Sequence, residues 1–511
     1  MYSSAMAIVV SLLEPDLPAL RSALERNLPL ADLVELRLDL IGHPGEEALR
    51  DLFRSCSKPV IVTVHGKEGF GEFEGSREER FEILHAAARA GADFVDIDWR
   101  WSLDLGEMEG KCHRIVSRHI LDGTPEDLDA LHEEQKSVLY EGDIIKLVTH
   151  AECHEDGLRM LRYLRAQGGG LIAFCSGEAG SFTRLLAPIF GSPFTYAAPK
   201  GSSRATAPGQ LRVNDMLAAA PPGGFSPETA ILGIVGRPVT HSWSPLLHNM
   251  ALKAANLDAI YLAFEPQSLE NFLELADDEN FRGFSITAPF KQEALRLAKG
   301  AEQSARAAGA ANTLVREGDG WMASNTDVTA LRELIEVSLE AHRRREMHAP
   351  DVAHARVLVI GAGGAARSAA QATREVGAHL LVSARRDEAA DQLAADFAGK
   401  SIPWDSVGEA DYHVLVHCTP AGGLADPGNL PFDESAVPTD RIVIDANYRP
   451  LKTPLLLAAR DRNCTPVPGG EWFVRQALAQ FKRFTKKEAP EALMRSTFEH
   501  AYGDERKARG E

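Results

Sequence analysis

Lys146 sits in the run DIIKLVT with Ile144, Ile145, Leu147 and Val148 around it, an apolar setting in which an ammonium must be paired or give up its proton. Burial lowers the pKa of such an amine, and the free amine attacks a ketone to form an imine. The imine is an electron sink that eases loss of a proton from the adjacent carbon. His119, at the end of RIVSRH on the preceding strand candidate, titrates near enough to neutrality to take and return that proton. Amine and imidazole together suit an elimination. The residue types alone favour the plainer alternative of a snorkelling lysine and a hydrogen-bonded core histidine.

Further along, ARVLVIGAGGAARSAAQA sets Gly361, Gly363 and Gly364 between an apolar run and an Ala-rich helical segment. Glycines let backbone approach a pyrophosphate, and the helix start offers free amides and the positive end of a dipole. The next strand candidate, HLLVS, is followed by Arg385 and Arg386, where an NAD site carries an acid. Arginine there suits a 2′-phosphate, so NADP is the expected cofactor, with surface arginines as the plain alternative. His150, Cys153 and His154 in THAECHE have zinc-ligating types but lack a fourth ligand at a usual spacing, so no metal is expected.

These groups need elements to hold them. The runs AIVVSLL, LVELRLDL, PVIVTV, FVDIDW, RIVSRHIL, DIIKLVTH, GLIAFCS and PFTYAAP recur over about 220 residues with helix-like segments between them. Strands apolar on both faces and separated by helices predict an α/β fold that opens with an N-terminal (β/α)8 barrel, its active site at the C-terminal strand ends. The Pro/Gly-rich stretch Ala218–Glu228 is the expected linker to further βα units, and a second composition shift lies at Arg343–Asp351.

The 511 residues are 44% hydrophobic and 25% charged, a globular average, and the net charge of −18 opposes nucleic acid and anionic membranes as partners. Six scattered cysteines without a CxxC pair read as reduced thiols. MYSSAMAIVVSLLEP lacks a basic n-region, and no apolar run reaches membrane-spanning length, so a cytoplasmic protein is expected.

The first half resembles type I 3-dehydroquinate dehydratase through ELRLD, HGKEGFGEFEGS, SRH, IIKLV, GSFTRLLAPIFGSPFTYA and TAPGQL. The resemblance implies that Lys146 forms the imine, that His119 is the acid/base and that Glu68 orients it. It also implies that Glu35, Arg37, Arg184, Thr206 and Gln210 grip the substrate. Where this family usually has an arginine the chain has His65, and Phe70 interrupts its paired glycines.

The second half resembles shikimate dehydrogenase through HSWSP, TAPFK, AANT, NTD, GAGG, CTPAGG, DANYRPLKTP and PGGEWFVRQA. Its fold would be a two-lobed dehydrogenase with a Rossmann-type NADP-binding lobe. The resemblance implies that Ser242, Ser244, Thr287, Asn312, Tyr448 and Gln476 hold the substrate and that Lys291 with Asp327 handles the proton. It puts NADP against Gly361, Gly363, Gly364, Ala365, Thr419 and Gly469, with Arg385 and Arg386 at its phosphate. An ammonium beside a ketone that receives hydride stabilises the growing alkoxide and supplies its proton. The family commonly has Asn-Val-Thr-Val where this chain reads Ser285-Ile286-Thr287-Ala288.

Together the resemblances imply a dehydratase at 1–222 and a dehydrogenase at 228–511, the latter divided into a substrate lobe (228–330), a nucleotide lobe (350–470) and C-terminal helices (471–511). The implied substrates are 3-dehydroquinate, 3-dehydroshikimate and shikimate. A dehydratase fused to a quinate/shikimate dehydrogenase with NAD or mixed cofactor use, and a metabolite-sensing regulator with eroded catalytic groups, are the alternatives. Lys146, His119, Lys291 and Asp327 are all present, which weighs against the regulator.

Overall fold

The computed structural model describes residues 7–67, 71–201, 207–345 and 350–508. The chain divides into two compact units, one of residues 1–230 with 256–260 and 266–280, the other of 231–255, 261–265 and 281–511.

Eight apolar runs become eight strands of one sheet: β1 (Ala7–Leu13), β2 (Leu33–Arg37), β3 (Val60–Thr63), β4 (Phe94–Asp98), β5 (His113–His119), β6 (Ile144–His150), β7 (Leu171–Ser176) and β8 (Phe194–Ala197). Their order, β7-β6-β5-β4-β3-β2-β1-β8, with parallel pairing throughout, is a nearly closed (β/α)8 barrel. Every residue of β1, β2, β4 and β7 is buried, because the sheet is covered on both faces. Local chemistry sets the helices between. In SREE, Ser76 and Glu79 form a reciprocal capping box that starts the helix Arg77–Ala90, and Gly91 ends it in the left-handed region at φ +105°.

The following residues build two six-stranded sheets. The first contains β9 (Ala230–Val235), β10 (Ala259–Phe264), β11 (Phe281–Ile286), β12 (Gly300–Ala301), β13 (Thr313–Glu317) and β14 (Gly320–Ser324) in the order β10-β9-β11-β13-β14-β12. The second contains β15 (Arg356–Ile360), β16 (His379–Ser383), β17 (Lys400–Ser401), β18 (Val414–His417), β19 (Ile442–Asp445) and β20 (Thr465–Val467). Its parallel order, β17-β16-β15-β18-β19-β20, is the doubly wound arrangement whose strand order reverses between β15 and β18 and opens a crevice at the C-terminal strand ends.

Two helices tie these sheets together. Thr326–Arg345 buries Val328, Leu331, Leu334, Ile335 and Leu339 against β15, β16 and the helix Gly364–Glu375. Gly469–Thr485 places Trp472 in the same core, while its Gln480 donates to the Asn312 carbonyl at 2.9 Å and to Thr313 Oγ1 at 3.1 Å. Among the described residues no helix is long and apolar enough to cross a membrane.

Candidate active sites

Inside the barrel Lys146 is paired. Its Nζ donates to Asp96 Oδ2 at 2.8 Å, lies 3.9 Å from Glu35 Oε1 and sits 4.3 Å from the centroid of the Tyr196 ring. Alternation along β4, β5 and β6 turns Asp96, Ser117 and Lys146 toward the same interior, and Ser117 Oγ donates to Asp96 Oδ1 at 2.6 Å. Burial would raise the Asp96 carboxyl, but the Lys146 ammonium and His65, whose Nε2 is 3.4 Å away, hold it well below the usual carboxylate range. Asp96 is therefore the charge-bearing hub.

His119 closes β5 with its ring edge-on to His65 at 5.1 Å between centroids. It keeps some surface at the pocket, yet its Nδ1 is buried. Burial first, then His65 and Lys146, push this imidazole well below its ordinary range, which keeps it neutral and able to accept a proton at pH 7. Glu35 accepts from Ser11 Oγ and, at 2.8 Å, from Thr63 Oγ1, and Arg37 forks onto Asp39. Arg184, on the short helix Thr183–Leu186, stacks over Phe174 at 4.3 Å, and burial lowers its pKa to about 10, still cationic at neutrality. Its Nε has no hydrogen-bond partner among the described residues, and the side chain lines the same pocket as Lys146, His119 and Gln210. A buried guanidinium with spare donors suits a carboxylate ligand. Glu68 and Thr206 lie outside the described residues.

The second site is a cleft of about 580 Å³. Lys291 Nζ donates to Asp327 Oδ2 at 2.7 Å, and the Trp472 indole N–H donates to Asp327 Oδ1 at 2.9 Å, so both carboxylate oxygens are fixed. Asn312 orients the start of the helix that carries Asp327. Its Nδ2 donates to Thr326 Oγ1 at 2.9 Å, and its Oδ1 accepts from the Thr326 amide at 2.8 Å. Ser242 Oγ donates to Ser244 Oγ at 3.1 Å, Tyr448 stacks on Phe473 at 4.2 Å, and Gln476 Nε2 donates to the Phe473 carbonyl at 2.9 Å. All of these serines, Thr287, Asn312, Tyr448 and Gln476 line the cleft together with Ala365. At Ser285, where the family commonly has asparagine, the hydroxyl accepts from Tyr261 at 2.6 Å and donates to Gln480 Oε1 at 2.7 Å.

The turn after β15 fits a dinucleotide. Gly361 has φ +115°, and a Cβ there would meet the Cys418 carbonyl at 3.3 Å. A Cβ on Gly363 would meet nothing within 4 Å, so this face of the turn is open, and Gly363 leads into the helix Gly364–Glu375 with no side-chain cap on its first amides. Arg385 and Arg386 are exposed just beyond β16. Thr419 follows β18, its methyl 3.4 Å from the Cβ that Gly361 lacks. Gly469 lies against the Asp445 and Asn447 carbonyls, which an added Cβ would approach to 2.6 and 2.5 Å. The residues present suit NADP.

The side chains of THAECHE go separate ways. His150 Nδ1 is 3.2 Å from Ser176 Oγ, His154 stacks on Phe182 at 5.5 Å, and the described residues contain no group of three or more metal-ligating side chains. Sequence reasoning missed Asp96, Tyr196, Trp472 and Gln480. Asp96 had a signal, an acid at an inward position of the apolar strand FVDID, whereas the other three depend on contacts across long sequence separations.

Comparison with known proteins finds relatives for both parts of the chain. The family model for type I 3-dehydroquinase matches residues 8–220, and that for the shikimate dehydrogenase substrate binding domain matches residues 234–314. The chloroplastic bifunctional 3-dehydroquinate dehydratase/shikimate dehydrogenase of Arabidopsis thaliana is 33% identical over 481 residues, covering 91% of this chain and 79% of the relative. The shikimate biosynthesis protein AroDE of Chlamydia pneumoniae is 27% identical over 462 residues, 89% of this chain and 90% of its own. The shikimate dehydrogenase (NADP(+)) of Anaeromyxobacter sp. (strain K) is 37% identical over 285 residues, 54% of this chain and 98% of its own.

Proposed function

Because the chain belongs to the family of bifunctional 3-dehydroquinate dehydratase/shikimate dehydrogenases, we propose that its two amine–carboxylate pairs, Lys146 with Asp96 and Lys291 with Asp327, carry the two reactions. The enzyme is a lyase and an NADP-dependent oxidoreductase of the shikimate pathway. It dehydrates 3-dehydroquinate and reduces the resulting 3-dehydroshikimate to shikimate.

In the barrel, Lys146 adds to the substrate ketone and water leaves, giving an imine on Nζ. Asp96 stays ionised and holds Lys146 in place, and the neutral imidazole of His119 in the same pocket is the group able to take the proton that Lys146 must lose. His119, neutral in its buried position, takes the proton from the carbon beside the imine and returns it to the departing hydroxyl. Hydrolysis then frees the lysine. Arg184 meets the substrate carboxylate, and Glu35, Arg37, Thr206 and Gln210 meet its hydroxyls.

In the cleft, NADP supplies the hydride when bound in reduced form. Lys291 holds the proton destined for the substrate oxygen, and Asp327, itself held by Trp472, keeps that ammonium in place. Ser242, Ser244, Thr287, Asn312, Tyr448 and Gln476 orient the ring. Gly361, Gly363, Gly364 and Ala365 take the pyrophosphate, and Arg385 with Arg386 takes the 2′-phosphate. A cytoplasmic location and small-molecule substrates, with neither nucleic acid nor membrane as partner, belong to the same reading, supported by six free cysteines and the net charge of −18.

The observation that carries the reading is the presence of two separate lysine–carboxylate pairs, with Lys146 lining one pocket over a buried Asp96 and Lys291 lining another together with Asp327. Pure protein given 3-dehydroquinate and NADPH is expected to make shikimate. Lys146→Ala stops enone formation, and Lys291→Ala lets the enone accumulate. Undiminished enone from Lys146→Ala overturns the barrel assignment.

A further inference from the structure

A polar chain with a fully buried core, His417, Asp445 and Thr453, runs out to the partly exposed Thr419 beside the nucleotide turn. β18 ends at His417 and β19 at Asp445, which are register partners, and both are 0% exposed. His417 Nδ1 is 3.0 Å from Asp445 Oδ1, and His417 Nε2 is 2.6 Å from Thr419 Oγ1. Asp445 is itself held on every side. Its Oδ1 also accepts from the Asn447 amide at 3.0 Å, and its Oδ2 accepts from Thr453 Oγ1 at 2.6 Å. Asn447 Nδ2 donates to the Thr419 and Ala421 carbonyls, both at 3.0 Å, which pins the loop carrying Thr419.

The donor and acceptor roles follow from this order. A carboxylate only accepts, so the proton of a neutral His417 must sit on Nδ1, leaving Nε2 with a lone pair. The Thr419 hydroxyl then spends its single proton on Nε2, and its remaining capacity is as an acceptor. Among the described residues one weak claim on that capacity exists, the Ala421 amide at 3.4 Å. We infer that Asp445 and His417 are positioning residues for the reductase, fixing Thr419 as a hydrogen-bond acceptor toward a donor on the dinucleotide. The inference rests on the reading of Thr419 as a cofactor contact. An acceptor repels phosphate oxygens, so the matching group is an O–H or N–H of the dinucleotide, such as a ribose hydroxyl or the nicotinamide carboxamide.

His417→Ala removes the relay and Thr419→Val removes its output. Each is expected to raise KM for NADPH roughly five- to tenfold, the worth of one oriented hydrogen bond. KM for 3-dehydroshikimate and kcat stay within about twofold, a split that general loosening of the lobe does not give. The double variant is no worse than either single one, and His417→Gln, whose amide oxygen still accepts from Thr419, recovers most of the loss. With the 3-acetylpyridine analogue, which lacks the carboxamide N–H, a persisting His417→Ala penalty assigns the donor to a ribose hydroxyl and a vanished one assigns it to the amide; both keep the relay. Long-range ¹H–¹⁵N correlation on ¹⁵N-histidine protein, with His417 assigned by its loss in His417→Gln, is expected to show the Nδ1–H tautomer. An Nε2–H or doubly protonated ring, or variants that leave KM for NADPH unchanged, overturns the relay. A wild-type protein that fails to oxidise NADPH with 3-dehydroshikimate overturns the reductase reading instead.

Discussion

A methyl group on Gly364 would lie 2.8 Å from Cβ and 2.9 Å from Cδ of Lys291. Gly364 opens the helix at the nucleotide turn, and Lys291 opens the helix Lys291–Leu297 of the facing lobe. The absence of a side chain at one site therefore lets the amine of the other reach Asp327. Gly364→Ala is expected to displace Lys291 and lower dehydrogenase kcat by roughly 10- to 100-fold, the cost of moving a reacting group by a fraction of an ångström to one ångström. Gly363→Ala, which meets nothing within 4 Å, should instead act on NADPH binding. Steady-state kinetics of the two variants distinguish the effects, and dehydratase activity should be untouched in both.

The barrel site depends on Asp96 holding Lys146. Asp96→Asn removes the charge that pairs with the ammonium while leaving a side chain of similar shape. Dehydratase kcat is expected to fall by about 10²-fold with dehydrogenase turnover unchanged. A loss of less than threefold would remove Asp96 from the account.

His119, with its Nδ1 buried, is depressed below the ordinary imidazole value, so its neutral, proton-accepting form persists as the solution is acidified. The acid limb of dehydratase kcat/KM should therefore fall below pH of about 6.5, the usual histidine value. A limb at or above that value contradicts the neutral-base role.

His248 is buried flat against Tyr261, with centroids 4.3 Å apart, and neither ring nitrogen has a hydrogen-bond partner among the described residues. Burial lowers its pKa to about 3. The unfolded chain binds this proton first, so the stability contribution is fully present above about pH 6.5 and drains as the pH falls toward the folded value, by at most about 1.4 kcal/mol per pH unit. His248→Phe keeps the stacking, should stabilise the protein at pH 7 by about 1–2 kcal/mol and should flatten the acid dependence. Urea transitions followed by loss of dehydrogenase activity at pH 5 and pH 7 check both effects.

How much of this was legible in the sequence varied with range. Each barrel strand was visible as an apolar run, because a strand buried on both faces has no polar alternation to confuse it. Lys146 stood out for the same reason, as a charge inside such a run. Its partner Asp96 is 50 residues away, and the importance of that acid appears only when β4, β5 and β6 bring it across the barrel interior. Nothing in PGGEWFVRQA marks Trp472 as a partner of the site, yet its indole N–H reaches Asp327 over a separation of 145 residues. Motif spacing found the glycine turn but not its second task, the clearance for Lys291, which is a property of two lobes meeting.

The central claim is that Lys146 forms a covalent imine. Wild-type protein treated with 3-dehydroquinate and borohydride, digested and examined by mass spectrometry, should carry one reduced substrate adduct on the peptide containing Lys146, with dehydratase activity lost in proportion to labelling. An active dehydratase that acquires no adduct, or acquires it on another lysine, contradicts the account.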